Sequence, residues 1–226
     1  MTPLLLIPGM MCDARMWGGF SAPCPMIHAL PTGHDTMLAL AAAILQTAPP
    51  HFALAGLSMG GIVAMEILAQ APDRVERLAL LDTSPRAETP EAQAARLPQI
   101  TRALAGQLEQ VLRQEMKPNY LAPGPGQKPI LDLCMDMALR LGPQVFARQS
   151  LALSSRPDQT ATLAAFKGPA LVLMGAQDRL CPRDRHDQMH ALMPQSRLAI
   201  VPDAGHLPTL ENPQATAAHL LHWLSS

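Results

Sequence analysis

At 226 residues the chain has the length of one domain with room for an insertion, long enough to bury a core without disulfide or metal staples. Hydrophobic residues make up 48% of it and charged residues only 15%, which excludes global disorder. A net charge of −1 supplies no field for nucleic acid or an anionic membrane, so neither is expected as a partner.

The four cysteines, Cys12, Cys24, Cys134 and Cys181, are scattered and form no C-x-x-C pair. That argues against a zinc knuckle or a disulfide framework and fits a reducing compartment. No stretch approaches the roughly 20 apolar residues that span a bilayer. The apolar opening "MTPLLLIPGMM" carries no basic residue before Arg15, unlike a signal peptide, so a cytoplasmic location is expected.

In chain order, "PLLLIP" (3–8) is a short apolar run closed by Pro8-Gly9 and reads as a buried strand. "PMIHALP" (25–31) is a weaker strand candidate. "HDTMLALAAAILQTAP" predicts a helix with Asp35 as N-cap and Pro49 closing it. "HFALAGL" (51–57) is strand-like and runs into "GGIVAMEILAQAP" (60–72), a helix apolar nearly all round, as a buried helix is. "VERLALLD" (75–82), "PALVLMG" (169–175) and "SRLAIVP" (196–202) are further strands. "RDRHDQMHALMP" (183–194) and "NPQATAAHLLHWLSS" (212–226) are amphipathic helices.

Strands alternate with helices on both sides of a gap, which predicts an α/β fold with a mostly parallel sheet and helices on both faces. The gap holds helical patterns, "LPQITRALAGQLEQVLRQEM" and "ILDLCMDMALRL", broken by the turn-rich "KPNYLAPGPGQKP". It reads as a helical cap over residues 86–160, inserted into a core of residues 1–85 and 161–226. Nine basic residues against seven acidic ones in that cap are too small an excess to name a ligand.

The stretch "AGLSMGG" (55–61) places Ser58 at a strand-to-helix junction within Gly56-Leu57-Ser58-Met59-Gly60, a G-x-S-x-G pattern. A serine on so sharp a turn takes strained backbone angles, and its neighbours two residues away must lack a Cβ for the chains to pass. The hydroxyl then projects above the sheet, where backbone N–H groups at the helix start favour developing negative charge. The plainer reading is a glycine-rich turn with an uninvolved serine.

Such a hydroxyl needs a base, and the base needs an orienting acid. Of eight histidines, His34 precedes a helix, His186, His190, His219 and His222 lie within helices, and His28 and His51 flank strands. His206 alone sits in a loop after a late strand, "VPDAGHLPTLENP", from which it can reach the end of a parallel sheet. Two aspartates end strands: Asp178 in "LVLMGAQDRLCP", the preferred acid, and Asp82 in "LALLDTSP", which could instead fix the exit of its own strand. Asp203, three residues before His206, reads as a turn residue.

Together "LLLIPGMMCDARMW", "AGLSMGGIVAMEILAQAPDRVERLALLDTSP", "PALVLMGAQDRLCP" and "VPDAGHLPTLENP" resemble the α/β-hydrolase fold, specifically its small esterase-like members with a helical cap. The resemblance covers residues 3–84 and 163–226 with the four blocks in the family's order. It implies Ser58 as nucleophile, His206 as base, Asp178 as acid, and an oxyanion hole from the Met59 and Met10 N–H groups, with no cofactor and no metal. Two departures stand out. Pro8 occupies the place of the histidine usual before Gly9, which leaves the pose of the oxyanion loop open, and two leading strands are missing, so about six strands are expected.

The leading expectation is a serine hydrolase that cleaves a small carboxylic ester or thioester through an acyl-enzyme. Met10, Met11 and Met59 beside the serine point to a flexible apolar acyl pocket. C–C bond hydrolysis or a lyase reaction on the same triad is the alternative, since one fold hosts many chemistries. A ligand-binding protein with a vestigial triad comes behind both, and haloalkane dehalogenation is disfavoured because it needs a carboxylate where Ser58 stands. The oligomeric state is not legible.

Overall fold

Six apolar runs pair side by side into one sheet, in a computed structural model that describes residues 2–116, 119–124 and 126–226. The strands are β1 (Leu4–Ile7), β2 (Met26–His28), β3 (Phe52–Leu57), β4 (Val75–Leu81), β5 (Ala170–Gly175) and β6 (Arg197–Val201). All pairings are parallel and the order is β2-β1-β3-β4-β5-β6. Leu6 lies opposite Ala55, Ala55 opposite Ala79, Leu80 opposite Val172, and Leu173 opposite Ala199.

Parallel strands covered on both faces read as unbroken apolar runs, because alternate side chains enter two different cores. Leu5 and Ile7 pack into one core and Leu4 and Leu6 into the other. The first core is closed by α1 (Met37–Thr47) and by α2 (Met59–Gln70), in which Met59 to Leu68 are all buried. The second is closed by a 3-10 turn carrying Met16 and Trp17 and by α9 (Pro213–Ser225) through Leu220 and Trp223.

Between β4 and β5 the described residues are helical: α3 (Pro90–Arg102), α4 (Leu108–Val111), α5 (Gln127–Ser154) and α6 (Thr160–Ala165). The expected helix over 97–116 is broken at Gly106, whose φ of 87° no right-handed helix holds, and π-type coils flank α4. α5 bends at Gly142-Pro143. It feeds Met135 and Phe146 into one core and Cys134 and Met137 into the other, so this helix is anchored in both. Lys117, Pro118 and Pro125 of the turn-rich stretch, and Met1, lie outside the described residues.

α7 (Arg183–Leu192) and α8 (Pro208–Glu211) complete the helices. One cap expectation is corrected. Thr36, not Asp35, is the N-cap of α1, because its extended backbone lets its hydroxyl accept from the Ala39 N–H at 3.2 Å. None of the four cysteines is in a disulfide among the described residues, and no described helix is long and apolar enough to cross a membrane.

The strand order fixes where a site can form. The chain leaves β1 for β2 on one side and then crosses to β3 on the other, so the crevice at the carboxyl ends of β1 and β3 has no connection over it. Met10 follows β1, Ser58 follows β3, Asp82 follows β4, Asp178 follows β5 and His206 follows β6. Every expected site residue therefore sits on the same edge.

Candidate active site

Ser58 joins β3 to α2 with φ 56° and ψ −120°, a region that an L-residue enters only under strain. Neighbouring glycines make this possible by close approach. A Cβ on Gly56 would lie 2.2 Å from the Gly60 carbonyl oxygen, and one on Gly60 would lie 2.1 Å from that of Ile7. The turn is also tied from outside. The Ser58 N–H donates to Leu81 O at 2.9 Å, and the Thr83 hydroxyl donates to Ser58 O at 2.8 Å.

Three expected residues meet here. His206 Nε2 lies 2.8 Å from Ser58 Oγ, and His206 Nδ1 lies 2.9 Å from Asp178 Oδ2. An ionised carboxylate only accepts, so Nδ1 carries the proton and Nε2 is left to accept from the hydroxyl. The other Asp178 oxygen accepts the Leu180 N–H at 2.8 Å and the Cys181 N–H at 3.1 Å. Burial by itself would raise this carboxyl; the His206 charge and hydrogen bond and the two N–H groups outweigh it and hold Asp178 below the usual carboxylate range. Asp178 is 6% exposed and His206 3% exposed, so water does not compete for the bond between them.

Asp82, the alternative acid, makes no hydrogen bond to His206 among the described residues; its carboxyl lies beside that of Asp178 instead. Its Oδ1 accepts the Gly175 N–H at 2.9 Å, tying β4 to β5, and its Oδ2 has no hydrogen-bond partner among the described residues. His186, on α7, is buried with Nδ1 3.4 Å from Pro182 O and Nε2 without a hydrogen-bond partner among the described residues. Asp203 is in a turn at φ 54°, as its sequence setting implied.

Met10 and Met59 line the cavity that opens at Ser58, and neither of their N–H groups has a protein acceptor among the described residues. The loop in which Pro8 replaces the family's histidine is held by other means. The Gly9 N–H donates to Met16 Sδ at 3.2 Å, and the Met11 N–H donates to Gln149 Oε1 at 2.9 Å. Met11, expected as a pocket residue, is fully buried behind that loop at φ 56° and does not line the cavity.

Sequence reasoning passed over two supports. Gln149 of α5 accepts the Met11 N–H and donates to Pro31 O at 2.9 Å, joining α5 to the segments after β1 and β2. It interrupts an otherwise apolar buried stripe of Phe146, Ala152 and Leu153, and a polar residue there is a readable signal. Glu211 accepts the Gly205 and Leu207 N–H groups on either side of His206, each at 2.9 Å, and the Ala122 N–H at 2.7 Å. The His206 N–H itself donates to Tyr120 O at 2.7 Å. One carboxylate and one carbonyl thus set the histidine loop against residues 120–122.

Asp178, Cys181 and His206 bring three potential metal-ligand atoms within 4.8 Å of one another. Asp178 and His206 already bind each other there, and burial, reinforced by the Asp178 and Asp82 charges, pushes the Cys181 thiol well above its usual range. The thiolate that a metal requires is disfavoured at this place.

Comparison with known proteins agrees with this geometry. The profile described as "Alpha/beta hydrolase family" matches residues 4–219. The pimeloyl-[acyl-carrier protein] methyl ester esterase of Chromobacterium violaceum is 30% identical over 214 residues, covering 87% of this chain and 84% of that protein. A thermophilic esterase from Thermogutta terrifontis superposes with a TM-score of 0.83 at 29% identity, over 100% of this chain and 90% of that one. The enol-lactonase of Burkholderia xenovorans, at 20% identity and a TM-score of 0.85 over 100% of this chain and 92% of that one, shares the fold.

Proposed function

Because this chain belongs to the alpha/beta hydrolase family, we propose that its ester hydrolysis runs through Ser58, His206 and Asp178 by way of an acyl-enzyme. The observation that carries the reading is the unbroken chain of contacts from Asp178 Oδ2 to His206 Nδ1 at 2.9 Å and from His206 Nε2 to Ser58 Oγ at 2.8 Å.

Ser58 Oγ attacks the ester carbonyl carbon as its proton passes to His206 Nε2. Asp178 keeps the Nδ1 proton in place and stabilises the imidazolium that forms. The carbonyl oxygen becomes an oxyanion, and the Met10 and Met59 N–H groups donate to it; loss of one such donor costs about two to three powers of ten in rate. Collapse of the intermediate expels the alcohol, which takes the proton from Nε2. Water then attacks the acyl-enzyme by the same route reversed, and Ser58 regains its proton from Nε2.

The substrate class is a small carboxylic ester or thioester. The cavity beside Ser58 is about 380 Å³, the size of a small-molecule site, with Met10 and Met59 at its floor. Residues 86–160 act as its lid, contributing Tyr120 and Leu153 to the wall. That a relative is named for a methyl ester esterase supports a compact alcohol half.

Labelling with a fluorophosphonate probe, read by peptide mass spectrometry, tests the nucleophile. Ser58 should carry the label and Ser58→Ala should abolish ester turnover. A label on Ser84 or Ser154 with Ser58 clean would overturn the assignment.

A further inference from the structure

The wall of the same cavity also carries charged side chains. Glu88, in the loop before α3, has a side chain only 6% exposed and binds two guanidinium groups, those of Arg96 and Arg156. Arg96 Nε donates to Glu88 Oε2 at 2.8 Å, and Arg156 approaches Glu88 Oε1 at 3.1 Å while its Nε donates to Arg86 O at 3.0 Å. Arg185 of α7 also lines the cavity. Its nearest carboxylate is Asp184 at 3.6 Å, which Arg86 already holds at 2.9 Å. Glu115, the other acid in the wall, is taken by Arg102 and Gln99.

Bracing the lid against the β4 loop accounts for one arginine on Glu88. It does not account for two, nor for a third guanidinium facing the same space. Arg156 is 14% exposed and shares its one carboxylate with Arg96, and Arg185 is 28% exposed; such an excess of partly desolvated positive charge costs less where a ligand supplies the opposite sign. Burial pushes the Arg156 guanidinium below its usual range, Glu88 opposes the shift, and the Arg96 and Arg185 charges add to it.

We propose that this cavity selects esters that carry a carboxylate, seated against Arg156 and Arg185 while the ester carbonyl lies at Ser58. Arginine's planar fork suits a carboxylate, and the charge acts on binding rather than on the bond being broken. The inference rests on the assignment of Ser58 as nucleophile.

Two matched pairs of substrates test it and locate the charge. Monomethyl glutarate against methyl pentanoate places the carboxylate on the acyl half; 4-carboxyphenyl butyrate against 4-acetylphenyl butyrate places it on the alcohol half. In one pair kcat/KM should favour the charged ester by at least about tenfold at low salt, mainly through KM, and the ratio should shrink as salt is added. Arg156→Met and Arg185→Met should each pull that ratio toward one. Arg185 is the safer variant, since its side chain makes no buried pair, and it decides the matter if Arg156→Met does not fold. Glutarate should bind the Ser58→Ala protein calorimetrically and lose affinity in the Ser58→Ala/Arg185→Met double variant. A ratio of one or less in both pairs, or a preference that survives both arginine changes, overturns the proposal while neutral-ester turnover still depends on Ser58. Neutral-ester turnover that persists in Ser58→Ala would instead overturn the nucleophile, and the glutarate measurement would still judge the anion site on its own.

Discussion

The ends of β4 and β5 lie side by side and each leads to an aspartate, yet the two carboxyl groups meet opposite surroundings. Asp178 has three donors: two backbone N–H groups on one oxygen and the imidazole N–H on the other. Asp82 is 0% exposed with one donor, and its second oxygen has no hydrogen-bond partner among the described residues. Burial acts on both. At Asp178 hydrogen bonds and the His206 charge overcome it and the carboxyl is held low. At Asp82 burial prevails, the Asp178 and Glu211 charges reinforce it, and the carboxyl is pushed well above its usual range. Two like charges on neighbouring strands cannot both be cheap, and the donors decide which one ionises.

The most severe way to break the comparison is Asp178→Asn. An amide presents an N–H₂ or a weaker acceptor to His206 Nδ1, so the tautomer that leaves Nε2 free to accept is no longer enforced. The expected loss in kcat is about three to four powers of ten with the fold intact, measured by steady-state turnover of a neutral ester and by circular dichroism. A variant within tenfold of the parent would mean that another group orients His206.

How this contrast could be read from sequence is uneven. The elbow was legible because Gly56 and Gly60 are required by contacts of about 2 Å that the motif encodes. His206 and Asp178 were legible because each lies in a short loop after an apolar strand, and a parallel sheet gathers such loops on one edge. The six strands followed from runs such as "ALVLMG", apolar at every position because both faces are covered. The supports were legible only in part: Gln149 stands out as a polar residue on an apolar helix stripe, but its partner does not. Gln149 and Glu211 act on backbone N–H groups more than 80 residues away in the chain, Met11 and Ala122, and no local pattern encodes that distance. The placement of the arginines is not legible either: a small net excess of basic residues does not say that Arg96 and Arg156 share one buried carboxylate, Glu88.

His186 sharpens the same comparison from the basic side. It is 0% exposed and its Nε2 has no hydrogen-bond partner among the described residues, so burial drives it to the neutral form and lowers its pKa to about 4, with the nearby Asp178 charge opposing. The folded value lies below the unfolded value of about 6.5, so protons bind the unfolded chain more readily. Its contribution is therefore fully present above pH ~6.5 and lost as the pH falls toward 4, a change on the order of 3 kcal/mol. Urea unfolding at pH 7 and pH 4.5 should show that fall in the parent and a smaller one in His186→Phe. An equal fall in both would assign the acid sensitivity to other groups.

The smallest expected effect is the most discriminating, and it concerns Asp82→Asn. A carboxyl already driven toward its neutral acid is close in shape and charge to an amide, so the substitution should keep the Gly175 N–H bond through the amide oxygen. The amide N–H₂ then takes the place of Oδ2, the atom without a hydrogen-bond partner, on the side that feels the Asp178 charge, which favours a donor there. Turnover of a neutral ester should stay within about twofold of the parent, and stability near pH 5 within about 1 kcal/mol. The pH dependence carries the sign. Because the folded value of Asp82 is raised, its favourable contribution is complete below the unfolded value of about 3.9 and is lost as the pH rises through the folded one. The amide cannot ionise, so Asp82→Asn should gain on the parent as unfolding is measured from pH 5 to pH 9. If instead kcat collapses as it does for Asp178→Asn, the end of β4 supplies the acid that orients His206, and the division of labour between the two strands is reversed.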